Sequence, residues 1–377
     1  MNKKLLTLAV AAAMVAPTAA MAEAILYGKL HMSIDYADVD ATDFKGWGLN
    51  GKGAVPGEGR ANRIGVKGSE DLGNGLKAIY QVEFGIKMTE ESTSGNIASG
   101  GNDTVSMRNS YVGLAGGWGT FLVGRHDTPM KISTGKLDLF SDTMADYNGT
   151  VGFDDIRADN AVAYISPSLS GFQLAAAMVA GGGSTAGYGT NYNSDSLAEA
   201  YSVAGIYSNG PFYASLAYES LGSELFMDTV ASELGSLDPA HVGDDYTKWR
   251  VGLGLMDWNG FTLTGIYEEQ SDLPAGQLSP STEPEKLKLW QIQAGYSFGN
   301  NMVKAMYGSG NRDGRFDDAD NLSEFKDSIE GDYYTWAIAF DHSLSKRTKA
   351  YVLYTQYDDD APDSDWDGFS VGMIHSF

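Results

Sequence analysis

The sequence predicts an all-β protein, a closed antiparallel barrel of sixteen strands that crosses a membrane. Apolar and polar residues alternate with a period of two in most patterned segments, as in strands with two different faces. The connections between these segments alternate between long and short. After residue 22, no apolar run reaches the ~20 residues that a membrane-spanning helix needs. Because only helices and closed barrels can cross lipid, an exported chain of this pattern is expected to form a barrel.

The first 22 residues have the features of a secretory signal peptide. Lys3 and Lys4 precede an apolar stretch, which ends before a small-x-small cleavage site at Ala22. We therefore expect export, cleavage after Ala22 and a single barrel domain over residues 23–377. An N-terminal membrane anchor is the less favoured interpretation, because the apolar stretch is short for a span.

The strands are predicted from their alternating faces. In one clear case the apolar face carries Leu76, Ala78, Tyr80, Val82, Phe84 and Ile86. Sixteen such segments begin near residues 24, 60, 76, 104, 120, 158, 172, 198, 212, 246, 261, 286, 302, 332, 349 and 367. Most of them are about 9–13 residues long, which suits a tilted strand across a bilayer.

The connections favour an outer-membrane barrel over a soluble β-protein. The long ones cover residues 37–59, 88–103, 127–157, 181–197, 220–245, 271–285, 309–331 and 358–366. Short ones contain Asn209-Gly210 and Asn259-Gly260, pairs that favour tight hairpin turns. Eight long and seven short connections place both chain ends on the short-turn side, as in bacterial outer-membrane barrels. A sandwich or a propeller would not require this alternation, and the sequence has no repeated blade motif.

The composition excludes several classes of function. The chain has 26 Lys and Arg against 49 Asp and Glu, a formal net charge of −23, which becomes −25 without Lys3 and Lys4. This acidity argues against nucleic acid as a partner, since phosphate binding needs basic patches. The absence of cysteine excludes disulfides, thiolate zinc sites and thiol nucleophiles.

No metal site, cofactor or catalytic site is predicted. The stretch that begins at Asp363 matches the first half of a calcium loop, but its twelfth position is Ile374 rather than the bidentate Glu. We interpret it as the end of a hairpin. The five histidines are scattered without ligand spacing, and no nucleophile stands beside a base. The chain is therefore not expected to be an enzyme.

Six motifs in order along the chain carry a resemblance to a known family. They are Ile25-Leu26-Tyr27-Gly28-Lys29-Leu30, Asn62-Arg63-Ile64-Gly65-Val66-Lys67-Gly68-Ser69-Glu70-Asp71, Arg108-Asn109-Ser110-Tyr111-Val112-Gly113-Leu114, Thr120-Phe121-Leu122-Val123-Gly124-Arg125, Asp159-Asn160-Ala161-Val162-Ala163-Tyr164-Ile165-Ser166-Pro167 and Val371-Gly372-Met373-Ile374-His375-Ser376-Phe377. Each resembles a segment of the trimeric general diffusion porins of Gram-negative bacteria. The terminal Phe377 also resembles the signal that outer-membrane assembly machinery recognises. Each motif alone is weak, but together they cover the chain after residue 22.

The resemblance implies a homotrimer in the outer membrane of a Gram-negative bacterium, in contact with lipid and lipopolysaccharide. Each barrel would enclose an aqueous pore, narrowed by an inward-folded third external loop, through which ions and small hydrophilic solutes diffuse passively. One observation made from the sequence pattern alone agrees with the implied inward-folded loop. The segment 127–157 is the longest unpatterned connection, and such long connections are often functional.

The resemblance also implies which cations line the pore wall. Lys29, Arg63 and Arg125 lie where the family places wall cations that face the constriction. The alternation of polar and apolar residues also places Lys29 and Arg63 on the polar face of their strands. Arg125, in contrast, falls on the same face as its apolar neighbours. Arg157 matches more loosely, and Arg108 is a further candidate. The alternative role of such an arginine is purely structural, as the partner of a loop acid.

The acidic side of the constriction is predicted to come from the third loop. Residues 127–157 hold six acids against three bases, and acids that face wall cations create a transverse field. The family's usual Pro-Glu-Phe-Gly-Gly motif is missing from this segment. We favour Asp138 and Asp142 as constriction residues. The alternative is that either carboxylate is merely solvated or caps a short helix.

The acidic excess predicts a preference for cations. A competing explanation is that acidity serves solubility or a salty habitat. A second function remains open: a selective channel for a sugar, phosphate or an organic acid. The 21 tyrosines could supply an aromatic track for such a solute, although Tyr and Trp also form the interfacial girdles of barrels.

Overall fold

The computed structural model describes residues 23–50, 60–89, 105–181, 196–222, 245–272, 284–314, 331–360 and 364–377. The predicted signal peptide, residues 1–22, lies outside the described residues, as does Asp363 at the start of the calcium-like motif. The signal peptide and its cleavage site therefore stay predictions.

The described residues form eighteen β-strands, two short α-helices and one 3₁₀ turn over Asp40–Thr42. The strands are β1 (Glu23–Val39), β2 (Phe44–Leu49), β3 (Arg63–Gly73), β4 (Leu76–Ile86), β5 (Val105–Met107), β6 (Ser110–Gly116), β7 (Gly119–Asp127), β8 (Arg157–Ile165), β9 (Phe172–Val179), β10 (Ala200–Asn209), β11 (Phe212–Leu221), β12 (Tyr246–Trp258), β13 (Phe261–Ser271), β14 (Pro284–Phe298), β15 (Asn301–Gly314), β16 (Gly331–Ser343), β17 (Thr348–Asp359) and β18 (Trp366–Ser376). The helices are α1 (Pro129–Thr134) and α2 (Tyr147–Thr150). In the described part of the chain, neither helix is long and apolar enough to cross a membrane.

Sixteen of the strands close the predicted barrel. Every neighbouring pair is antiparallel, and β1 closes the barrel by pairing with β3 on one side and β18 on the other. The two additional strands are short. β2 pairs with the outer end of β1, and β5 pairs with β4 just beyond β6. The sequence assigned residues 37–59 to one loop, and this was wrong in part: β1 continues to Val39, and β2 folds back on it as a hairpin.

The two faces of the barrel differ as the alternation predicts. On β12, Trp249 and Leu253 point outward with 38% and 59% of their surface exposed, while Lys248 and Arg250 on the opposite face are almost completely buried. Apolar side chains thus face the lipid and charged ones face the interior, which is the arrangement of outer-membrane barrels.

Aromatic side chains mark the two edges of the outer surface. Near the external ends, ring contacts link Tyr201 with Tyr218, Trp249 with Tyr267, Trp290 with Tyr307, Tyr307 with Tyr334, and Trp336 with Tyr354. Near the short turns, Phe261 and Tyr296 lie 4.5 Å apart between ring centroids. Such girdles stabilise a barrel at the two membrane–water interfaces.

Candidate pore constriction

The connection between β7 and β8, residues 128–156, is built around the two helices. The Thr128 side chain accepts a hydrogen bond from the Lys131 backbone N at 3.4 Å, and Pro129 takes the first helical position of α1, where its missing N–H costs nothing. Asp146 caps α2 by accepting from the Asn148 backbone N at 2.9 Å. Side chains of adjacent residues thus cap the N-terminal ends of both helices.

This connection packs against the inner wall of the barrel. Seven apolar side chains of the connection are at most 1% exposed: Met130, Leu137, Phe140, Met144, Ala145, Val151 and Phe153. Glycines of the wall leave room for them. A Cβ at Gly254 of β12 would lie 2.8 Å from Leu137 Cδ2, and one at Gly308 of β15 would lie 2.6 Å from Val151 Cγ2. Contacts with these inward-facing positions place the connection within the barrel.

Wall side chains also satisfy the backbone of the connection. Thr264 donates to the Leu137 carbonyl oxygen at 2.8 Å, and Tyr333 donates to the Val151 carbonyl oxygen at 2.7 Å. Lys304 donates to the Leu139 carbonyl oxygen at 2.6 Å. These bonds come from three different strands. They satisfy backbone carbonyl oxygens that would be hydrogen-bonded to water in an external loop.

A cavity of about 660 Å³ remains between the connection and the β1–β8 side of the wall. In the described part of the chain, its lining holds six cations, Lys29, Arg63, Lys67, Arg108, Lys131 and Arg157, and five acids, Glu83, Asp127, Asp142, Asp146 and Asp155. Charges of both signs therefore meet in one narrow space.

The shortest contact across this space joins Lys29 and Asp142. Lys29 Nζ lies 2.5 Å from Asp142 Oδ2, and Arg63 Nη1 lies 3.8 Å from the same oxygen. Asp142 has a φ of 61°, a left-handed conformation that Asp tolerates better than most residues. Two wall strands thus place cations opposite one loop carboxylate.

The two neighbouring loop carboxylates titrate differently. Burial acts to raise the pKa of Asp142, but the charges of Lys29 and Arg63 prevail and hold that pKa below its ordinary value. Burial raises the pKa of Asp146 to about 6, and the Asp142 charge acts in the same direction. The Asp146 carboxylate also accepts from the Asp142 backbone N at 2.6 Å. Asp142 is therefore charged at neutral pH, whereas Asp146 gains a proton under mildly acidic conditions.

This difference predicts a pH-dependent charge in the cavity. Asp146 is negative above its pKa of about 6 and neutral below it, so acidification removes one negative charge and should shift the reversal potential toward anions. Asp146→Asn should abolish the shift, since Asn still caps α2. Reversal potentials between about pH 8 and pH 5 test this. An unchanged shift in Asp146→Asn would assign the titration to another group.

Asp138 lies in the wall contact, outside the set of cavity-lining residues. It is 8% exposed, and its Oδ1 accepts from Gln293 Nε2 and from the Phe140 backbone N, each at 2.9 Å. Burial raises its pKa well above the ordinary value. Asp138 therefore belongs to the contact between the connection and the wall, where burial favours its protonated form.

The structure separates the predicted wall cations into two groups. Lys29, Arg63 and Arg157 line the cavity, and Arg157 pairs with Asp127, Nε to Oδ1, at 3.0 Å. Arg125 is not among the lining residues. It forms an ion pair with Asp159 at a bulge between β7 and β8, the structural role that the sequence left open.

Several lining residues were not singled out from the sequence. Lys67 shares the parity of Arg63, and Glu83 lies on the polar face of its strand, so alternation could have identified both. Asp146 and Asp155 come from the connection, where no alternation exists to assign a direction. Within the described residues, no group of His, Cys, Asp or Glu is arranged to hold a metal ion.

Comparison with known proteins identifies the family. Residues 9–362 match the family model described as Gram-negative porin. The chain belongs to the Gram-negative porin family. It is 28% identical over 360 residues to the major outer membrane protein P.IB of Neisseria gonorrhoeae, which covers 93% of this chain and 92% of the relative. It is also 28% identical to protein P.IA of Neisseria meningitidis serogroup B, with 93% of each chain covered.

Solved structures share the fold. The anion-selective porin from Comamonas acidovorans has a TM-score of 0.65 and 21% identity, over 94% of this chain and all of that one. OmpT of Vibrio cholerae in its trimer form has a TM-score of 0.60 and 14% identity, over 94% and 99% of the two chains. The predicted family, sixteen-stranded barrel and outer-membrane location are thus confirmed. This porin is an outer-membrane channel and not an enzyme, as the sequence predicts.

Proposed function

We propose that this porin admits ions and small hydrophilic solutes, and that the 660 Å³ cavity is its constriction. The contact of Lys29 and Arg63 with Asp142 carries the proposal, because it joins wall and loop across the pore. The wall supplies five of the six cations and the connection three of the five acids, so a transverse field runs between them. Such a field orients dipolar solutes and admits them in preference to apolar ones.

We propose that the predicted cation preference arises at the external rim and not in the constriction. The constriction lining is nearly balanced, with six cations and five acids among the described residues. The rim is acidic. Its exposed carboxylates at the ends of β1 and β15–β18 include Asp40, Asp43, Asp313, Asp332, Asp360 and Asp365. A negative rim concentrates cations at the pore entrance, and salt screens this effect.

The reversal potential in a salt gradient tests both parts of this proposal. We expect steady ohmic conductance with cation preference at low ionic strength, where the Debye length is ~30 Å at 0.01 M. Near 1 M, where it is ~3 Å, the preference should largely disappear. Anion preference at both ionic strengths would show that the constriction cations dominate, as the name of the Comamonas acidovorans relative suggests for that protein. A wild-type barrel without conductance would contradict the channel proposal.

We also propose a homotrimer, with lipid and lipopolysaccharide around it. The trimer form of the Vibrio cholerae relative supports this, as does the outer surface. The external row of Tyr and Trp follows β10–β17. Near the external ends of β3–β9, the outward side chains of the described residues instead include Ile64, Phe84, Val105, Met107, Val123 and Met178. A sector without this row of Tyr and Trp suits contact with a neighbouring protomer. We expect a heat-sensitive oligomer band on unboiled gels; a monomer band before heating would contradict the trimer.

One observation favours the alternative of a selective channel. A second cavity of about 310 Å³ lies near the external ends of β16–β18 and is lined in part by Tyr333, Tyr357 and Trp366. The ring centroids of Tyr357 lie 5.4 Å from Tyr333 and 6.1 Å from Trp366. Aromatic rings in a row can bind the apolar face of a sugar. Saturable block of the current by one sugar would support this alternative over unselective diffusion.

A further inference from the structure

Arg250 of β12 joins both limbs of the inward-folded connection to the wall. Its side chain is completely buried, and its Nε forms an ion pair with Glu268 of the neighbouring strand β13. Its Nη1 donates to Thr134 Oγ1 at 2.8 Å, at the end of α1, and to Asp155 Oδ1 at 2.6 Å, on the limb that returns to β8. One guanidinium group therefore holds two parts of the connection that are 21 residues apart in sequence (134 and 155).

A second buried cation supports the returning limb. Lys248 lies two residues before Arg250 on the same face of β12 and is also buried. Its Nζ lies 2.9 Å from Asp154 Oδ2 and 2.9 Å from Glu219 Oε1 of β11. Buried charges are costly unless they are paired, and loss of one partner leaves the others uncompensated. The returning limb is therefore fixed as long as these cations are present.

A continuous chain of contacts leads from Arg250 to the constriction. Asp155 also accepts from the Tyr147 hydroxyl at 2.5 Å, and Tyr147 is the first residue of α2. Asp146 caps α2 and accepts from the Asp142 backbone N at 2.6 Å. The carboxylates that face the wall cations are thus connected to a guanidinium that is not itself among the cavity-lining residues.

We propose that Arg250 is a positioning residue that fixes the constriction acids by clamping both limbs of the connection to β12 and β13. The inference rests on the proposed function, because it assigns Arg250 a role in the same pore. Without the guanidinium, Asp155 loses its wall partner and α2 can move relative to the wall cations. The open channel should then fluctuate between several constriction geometries.

Two variants break the Arg250–Asp155 contact from opposite sides. Arg250→Met removes a positive charge and Asp155→Asn a negative one. A positioning role predicts that both raise the open-channel current noise severalfold and lower the voltage at which the channel closes. Their reversal potentials should move in opposite directions, toward cations for Arg250→Met and toward anions for Asp155→Asn. The noise of the double variant should fall short of the sum of the single effects, since both break one contact.

Arg60→Met is the matched control, because it also removes a buried guanidinium that is paired with a wall carboxylate. Arg60 Nη2 lies 2.8 Å from Asp35 Oδ2, and its Nε donates to Ser33 Oγ at 2.8 Å; both partners belong to β1 and not to the connection. We expect it to shift the reversal potential without the rise in noise.

Should Arg250→Met fail to assemble, Thr134→Val removes one acceptor of the guanidinium and should raise the noise less strongly. Quiet channels in all these variants, with a conducting wild type, would overturn the role of Arg250 alone. A wild type without conductance would overturn the proposed function as well.

Discussion

Replacing Arg63 and Lys67 together by Gln is expected to make the channel strongly cation-preferring. Both side chains line the constriction from β3. Neither is held in a tight ion pair that the substitution would break. Arg63 lies 3.8 Å from Asp142, and Lys67 is exposed with its Nζ 5.0 Å above the Tyr27 ring. The barrel should therefore assemble normally while the charge balance of the constriction changes by two units.

The size of this effect follows from Coulomb's law. A unit charge 4 Å from an ion contributes about 1 kcal/mol even at the dielectric constant of water, with opposite signs for cations and anions. At this distance, loss of two positive charges would change the free-energy difference between cations and anions by about 4 kcal/mol. Because ions pass the two side chains at larger distances and in screening salt, we expect the cation-to-anion permeability ratio to rise by roughly tenfold or more at low salt. Reversal potentials in a salt gradient measure this ratio.

A control outside the lumen separates the constriction from the total charge. Lys45 of β2 is exposed near the rim and pairs with Asp38. Lys45→Gln removes one charge from the protein without reaching the constriction, so we expect a small shift that disappears at high salt. A shift of the same size in Lys45→Gln would contradict the assignment of the constriction to the β3 wall.

The sequence predicts the barrel well because alternation is a local property. A one-residue error in register would place Trp249 inside and Arg250 in lipid. The sequence of each strand therefore indicates by itself which side chains face the lumen and which face the lipid. The predicted starts agree closely with the observed strands, as for Phe172 and Phe261. The β2 hairpin was missed because the strand has only six residues, and two glycines on one face leave Trp47 and Leu49 as a short alternating signal.

The constriction was predicted less completely, because the connection has no alternation. Lys29 and Arg63 could be placed from their strand parity, and the structure brings both to Asp142. Asp138 and Asp142 are equivalent in the sequence, yet one bonds to Gln293 of the wall and the other faces the cavity. The difference depends on where Leu137 and Phe140 pack, on contacts with strands more than a hundred residues away.

The wall glycines lead to a second prediction, that Gly254→Leu narrows the pore without unfolding the barrel. A Cβ at Gly254 would meet only side-chain atoms: Leu137 Cδ2 at 2.8 Å, Met256 Sδ at 3.0 Å and Tyr213 Cβ at 3.4 Å. The backbone of β12 can therefore stay in place while Leu137 and the connection around it move toward the lumen. Overpacking of this kind costs about 1–3 kcal/mol, a modest amount for so large a barrel. We expect single-channel conductance to fall clearly below the spread of wild-type channels.

Reciprocal changes in side-chain volume decide whether displacement of Leu137 causes the narrowing of the pore. Leu137→Ala should restore conductance when it is combined with Gly254→Leu, because the new leucine then fills the space that the old one leaves. Leu137→Ala alone should loosen the connection, since such core truncations cost about 2–5 kcal/mol. Gly205→Leu on the outward face of β10 is the matched control: its Cβ would lie 3.6 Å from the Phe172 ring, an ordinary contact distance, and conductance should not change. If Gly254→Leu conducts like the wild type, the connection does not rest on β12 through Leu137. Full recovery in the double variant would instead show that glycines of the wall set the pore width by the room they leave for the loop.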